Sequence, residues 1–129
     1  MPHVSKYRLK SYEEQKLKSA FKMILSRIGS KKDMDYFLKF LLSDTEQLMF
    51  SKRIAIAVLL KEGFAEVEIA GKLAVTKETV NRINLLMQTR GGGFEVAIRE
   101  LRKDRMLTEF KKFLISLARY SIKAAGGRV

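Results

Sequence analysis

The stretch over residues 66–83, EVEIAGKLAVTKETVNRI, constrains this chain more than any other. Apolar Ile69, Ala70 and Leu73 recur at i, i+1 and i+4, which is one face of a short helix. Val75, Val80 and Ile83 continue beyond a turn, at spacings that let a second helix share the same small core. Ala70 is small where two crossing helices leave no room. Thr76 can cap the second helix by accepting a backbone N–H from its first turn, and Lys77, Glu78, Asn81, Arg82 and Leu85 then project away from the core. Two short helices, a tight turn and a polar outward face make a helix-turn-helix over about residues 65–88. Its second helix, 77–88, would be placed to meet a major groove.

Charge points the same way. The chain has 129 residues and a net charge of +12, an excess that favours a polyanionic partner and costs self-repulsion without one. Residues 1–32 hold nine Lys or Arg against two acids, residues 98–129 nine against three, and residues 33–97 eight against nine. The reading motif is therefore nearly neutral between two basic arms. Such arms fasten to phosphates while the reading helix discriminates bases. Thr76, Lys77, Glu78, Thr79, Asn81 and Arg82 are the residues expected to touch DNA, with Arg90 as a further phosphate partner. For Asn81 the specific chemistry is a bidentate contact to adenine, and for Lys77 or Arg82 a contact to guanine or phosphate.

Other chemistries find little to work with. There is no cysteine, and His3 is the one histidine, so a metal cluster of nitrogen and sulfur ligands cannot be built within one chain. The paired acids Glu13 with Glu14 and Asp33 with Asp35 sit in expected helix first turns, where carboxylates favour the helix dipole. No enzyme and no cofactor are expected. The absence of cysteine and of any long apolar run, with an N-terminal MPHVSKYRLK that carries no signal-peptide core, leads us to expect a cytoplasmic, nucleoid-associated protein.

The periodicity is helical throughout, giving an all-α fold of six or seven helices. Ser11 with Glu14 reads as a capping box for a first helix whose stripe is Leu17, Phe21, Ile24, Leu25 and Ile28, ending at Gly29. Ser30 with Asp33 opens a second, with Met34, Phe37, Leu38 and Leu41 on one face and Tyr36 and Phe40 on another that needs a partner. Ser43 with Glu46 opens a third, running to about Glu62 and stopped by Gly63. Its interior, Ile54 to Leu60, is apolar nearly all round, as in a central strut. Gly91, Gly92 and Gly93 are expected to interrupt the chain as a hinge or tight turn. A sixth helix from Phe94 would break near Asp104, and Thr108 would cap a seventh, in which Phe110, Phe113, Leu114, Ile115, Leu117 and Ile122 leave a narrow polar strip of Lys112, Arg119 and Lys123. We expect residues 1–103 to form the DNA-binding domain and 104–129 a basic amphipathic extension.

Over about residues 36–98 the chain resembles the trp repressor superfamily, closer to its YerC-like branch than to trp repressor itself. The resemblance rests on SDTEQLMFSKRIAIAVLLKEGF with its Arg53, on EIAGKLAVTKETVNRI, and on the GGGF that follows. It implies an intertwined all-helical homodimer that presents two reading helices to successive major grooves. It also implies an effector site between strut and reading helix, where the family's tryptophan is clasped by two arginines matching Arg53 and Arg82. Leu86 stands where the family has a ligand-contacting serine, and Ser43 replaces a threonine, so tryptophan itself is not favoured over another small-molecule corepressor. Ala74 occupies a turn position where glycine is common; an alanine forced left-handed there costs on the order of 1 kcal/mol.

The expected function is a sequence-specific transcriptional regulator, a repressor, acting on double-stranded DNA as a homodimer. Two alternatives stand beside it. One is a nonspecific nucleoid-type DNA-binding protein, and the other a helical interaction or membrane-surface module that uses the basic C-terminal helix.

Overall fold

A computed structural model describes residues 8–117. These are all-α, with six α-helices, one 3₁₀ turn and no strand among the described residues. No helix there is long and apolar enough to cross a membrane. The chain divides into two compact units between Asp44 and Thr45. Residues 104–117 fall in the same unit as residues 45–103.

The first unit holds α1 (Ser11–Arg27) and α2 (Lys31–Leu41). The capping box expected at Ser11 and Glu14 is displaced by one residue. Ser11 is already helical, and Glu13 reaches back to accept the Lys10 backbone N–H at 2.7 Å. Adjacent glutamates allow either register, and the acidic side chain three residues past Lys10 takes the free amide. Gly29 is not the stop of α1 either. Ile28 ends it in an extended conformation (φ −71°, ψ 116°), so no left-handed residue is needed. Ser30 caps α2 as its spacing predicts, accepting from the Asp33 N–H at 3.1 Å. Neither helix contains a buried residue. Leu17, Phe21, Ile24, Tyr36 and Phe40 all lie open, Phe40 at 83 % exposure.

The second unit is built on α3 (Asp44–Lys61), which begins directly after Ser43. Ala55, Ile56, Ala57, Val58 and Leu59 are buried in sequence, which a helix achieves only when neighbours cover it on several sides. Ile54 departs from that expectation at 44 % exposure. Gly63 stops the helix with φ 95°, and the Phe64 N–H closes onto the Leu59 carbonyl at 3.1 Å, a left-handed helix end for which glycine is suited. Then come α4 (Glu66–Leu73) and α5 (Lys77–Leu101). One core joins Ile56, Val58 and Leu59 of α3, Ile69, Ala70 and Leu73 of α4, and Val80, Ile83 and Ile98 of α5. Ile69, Ala70, Leu73, Val80 and Ile83 were assigned inward by their spacing, whereas Ile56, Val58 and Leu59 belong to the helix that is apolar nearly all round.

The interruption expected at Gly91–Gly93 takes the form of a kink just before them, at Arg90, where two helical halves meet without a loop between them. The helix runs through all three glycines, with Arg90 as its one non-helical residue (φ −136°, ψ 36°), so the expected sixth helix is the far half of α5. A helical glycine costs about 1 kcal/mol relative to alanine, which weakens a helix without obliging it to end.

The break near Asp104 is real. A 3₁₀ turn (Lys103–Arg105) carries Asp104 and Arg105 at φ 56° and 64°, and α6 (Met106–Ser116) follows. Thr108 lies inside α6 and does not cap it. The left-handed pair at 104 and 105 turns the chain before Thr108 is reached.

Leu107 and Leu114 of α6 are buried in the same core as α3 to α5, while Phe113 and Ile115 remain exposed. Lys72, only 9 % exposed, reaches from the last turn of α4 to the far end of α6. Its Nζ donates to the carbonyls of Ile115 (2.8 Å) and Leu117 (3.0 Å) and lies 5.7 Å from the centre of the Phe64 ring. A cation there satisfies helix-end carbonyls that have no partner within the helix. Lys111 and Glu62 add an ion pair at 2.8 Å between α6 and the end of the strut. Arg119, Ile122 and Lys123 lie outside the described residues.

Candidate nucleic-acid interface

The turn between α4 and α5 is three residues long, Ala74 to Thr76. Ala74 adopts the left-handed conformation (φ 54°, ψ 51°), and the Val75 N–H returns to the Ala70 carbonyl at 3.1 Å. Alanine therefore takes the strained geometry its position implies. Thr76 caps α5, its Oγ1 accepting from the Thr79 N–H at 3.1 Å. The two threonine hydroxyls are also hydrogen-bonded to each other at 2.9 Å. The Lys52 ammonium, on the strut, donates to the Ala74 carbonyl at 3.4 Å and so brings a cation to the turn.

Helical spacing then sorts the side chains of α5. Val80 and Ile83 are buried, and on the opposite side Lys77, Glu78, Asn81, Arg82 and Leu85 are exposed, Leu85 at 53 %. The apolar pair fixes which face turns inward, and the polar row follows from the 3.6-residue repeat. Asn84 lies between the two faces, its Nδ2 donating to Glu66 Oε2 of α4 at 3.5 Å. Thr79 is half-buried through its tie to Thr76.

Two exposed residues, Gln88 and Thr89, extend the outward row by one turn and did not emerge from the sequence. Their signal was available, since they stand seven residues beyond Asn81 and Arg82. Lys52 is the other addition, and no local pattern could have revealed it, because its contact spans 22 residues.

Arg53 and Arg82 line one cleft of about 330 Å³ between α3 and the start of α5, together with Met49, Lys52, Val75 and the two threonines. The arginine pair assigned to an effector thus faces a common space, with hydroxyls and a third cation alongside. Arg53 also places its guanidinium 5.5 Å from the centre of the Phe50 ring. Arg90 is elsewhere. It stands at the kink of α5, exposed, on the rim of a second and more apolar cavity of about 250 Å³. Farther along, Lys103 donates to Glu100 Oε1 at 3.0 Å. That hydrogen bond and the Lys103 charge, with a smaller contribution from Arg99, hold the Glu100 carboxyl below the ordinary carboxylate range.

Chemically, this face offers an amide, several cations and hydroxyls on a rigid rod, with Glu78 the one acid in the row. Such a set can hydrogen-bond to base edges and attract phosphates. Comparison with family models, with curated proteins and with solved structures gives no match to the chain.

Proposed function

We propose that the protein is a sequence-specific DNA-binding transcriptional regulator, a repressor, that reads the major groove through a helix-turn-helix formed by α4 and α5. The observation that carries this reading is the outward row of Lys77, Glu78, Asn81, Arg82 and Leu85 on a capped helix, held from behind by buried Val80 and Ile83. In the groove, the Asn81 amide pairs with an adenine, Lys77 and Arg82 reach guanine or phosphate, and Leu85 packs on a thymine methyl. Thr76, Thr79 and Lys52 sit where the first turn of a reading helix meets the backbone. Binding at a promoter excludes polymerase.

The open apolar faces of α1 and α2 support a homodimer, in which a second copy covers them and the two reading helices address successive grooves. Burial of Leu107 and Leu114 in the core uses part of the apolar area of α6 within the chain, which favours DNA over a membrane surface as the partner. The cleft shared by Arg53 and Arg82 is where a small anionic corepressor would bear on the reading helix.

Selection from a random pool of duplex DNA, with and without tryptophan, tests the reading. A consensus should emerge. Lys77→Ala and Asn81→Ala should each remove preference at one position, costing about 1 to 3 kcal/mol of discrimination. A nonspecific nucleoid-type protein would enrich no sequence.

A further inference from the structure

Three cations, Lys52, Arg53 and Arg82, line the cleft of about 330 Å³ between the strut and the start of α5, and no carboxylate lines it with them. None of the three forms an ion pair with an acid among the described residues. Elsewhere basic side chains do find acids, as Lys39 does with Asp35, Lys103 with Glu100 and Lys111 with Glu62. Like charges gathered without a counterion repel one another, so this arrangement costs energy until an anion enters.

The lining groups also keep donors to spare. Lys52 Nζ spends one of its three N–H bonds on the Ala74 carbonyl at 3.4 Å. Arg53 sets its guanidinium over the Phe50 ring at 5.5 Å, a contact made by the face of the group that leaves its N–H edge free. Arg82 is exposed on the outward row. The hydroxyls of Thr76 and Thr79 share one hydrogen bond at 2.9 Å, which uses one hydroxyl proton and leaves the other to donate. Behind them stands the positive end of α5.

These donors stand on three segments, the strut, the turn and the reading helix. They suit a group whose oxygens diverge, which describes phosphate better than a planar carboxylate. An amino acid is the poorer guest, because no acid lines the cleft to balance its ammonium. We propose that the cleft is a phosphate-binding site, in which Lys52 and Arg53 of the strut and Arg82 of the reading helix close on one phosphate group together with the free threonine hydroxyl. The group comes from the backbone of a duplex lying along α5 or from a phosphorylated small molecule, and either one ties the reading helix to the strut. The duplex as source rests on the DNA-reading function proposed above, whereas the site itself does not.

The probe is inorganic phosphate, titrated into the full-length protein without DNA while chloride is exchanged to hold ionic strength constant, and followed by amide chemical shifts. Saturable shifts should appear over residues 75–79 and at Arg82. Lys52→Met and Arg82→Met should each weaken binding about tenfold, the effect of losing one charge-assisted hydrogen bond. Lys39→Met removes the same charge from α2 and should change nothing. Because Arg82 does not touch the turn, its loss separates phosphate binding from the Lys52 contact to Ala74. Tryptophan should give no saturable shift at these amides. Shifts that rise linearly with phosphate, or that persist unchanged in Lys52→Met and Arg82→Met, overturn the site, and tryptophan binding more tightly than phosphate overturns its chemistry. Repeating the titration with the selected duplex bound assigns the source: a phosphate response that disappears assigns the cleft to the DNA backbone, and one that persists assigns it to a phosphorylated small molecule. If no duplex is selected, the proposed function fails, and the titration of the free protein still decides whether the site exists.

Discussion

At the residue scale, two positions of one turn carry opposite energetic signs. Ala74 is held left-handed, which an L-residue other than glycine resists. Ala74→Gly should therefore raise stability by about 1 kcal/mol in urea unfolding, the relief of strain exceeding the added chain entropy. Thr76→Ala should lower it by about 1 kcal/mol, because the Thr79 N–H loses its acceptor. Both the turn and the cap were legible in the sequence, since each depends on neighbours within five residues. Lys72 was not. A lysine in an amphipathic helix reads as solvated, and only folding brings it to carbonyls more than forty residues away. Lys72→Met keeps the buried stem and removes the two hydrogen bonds. It should cost about 1 to 3 kcal/mol and loosen the end of α6, seen as faster amide exchange there.

At the element scale, α3 separates what periodicity can and cannot decide. Its run from Ile54 to Leu60 announces a strut covered on several sides, but one helix cannot say which of its apolar residues stays open. The structure makes that choice through its neighbours: Ile56 is fully buried and Ile54 is 44 % exposed. Ile56→Ala should accordingly cost about 2 to 5 kcal/mol in thermal or chemical unfolding, and Ile54→Ala much less. The termini of α1 and α6 were misplaced for a related reason. Ser11 and Thr108 are good caps by composition, yet Glu13 at one end and the left-handed pair Asp104 and Arg105 at the other set the chain direction first. At 91–93 the glycines follow a kink at Arg90 and not a full break, because glycine permits an interruption without imposing one. Gly63, where the chain must reverse after the strut, behaves as expected.

For the whole molecule, the balance between the two units governs what the protein can do alone. Residues 45–117 own a core that runs through α3, α4, α5 and α6, while α1 and α2 bury nothing. Helices of 17 and 11 residues with open apolar stripes are marginal in water, since helix formation without packing barely offsets its own nucleation cost. Strut residues Leu48, Met49 and Phe50 are also exposed. A second copy that covers these faces would supply the missing core, and would also bring together two +7 N-terminal arms, so the association must be apolar enough to outweigh their repulsion. The consequence is measurable in one protein preparation. At micromolar concentration the mass in solution should be that of two chains, and the melting temperature should rise with concentration, as mass action requires when folding and association are linked. Phe21→Glu combined with Phe40→Glu should yield a single chain whose α3 to α6 core still melts cooperatively, because neither residue belongs to it. Raising salt should then act in opposite directions on the two interactions of the wild type. It should strengthen the dimer by screening the basic arms, while DNA affinity falls by orders of magnitude as phosphate contacts are replaced by counterions. A single-chain mass for the wild type across that concentration range, with no dependence of the melting temperature on concentration, would remove the dimer and with it any operator built from paired half-sites.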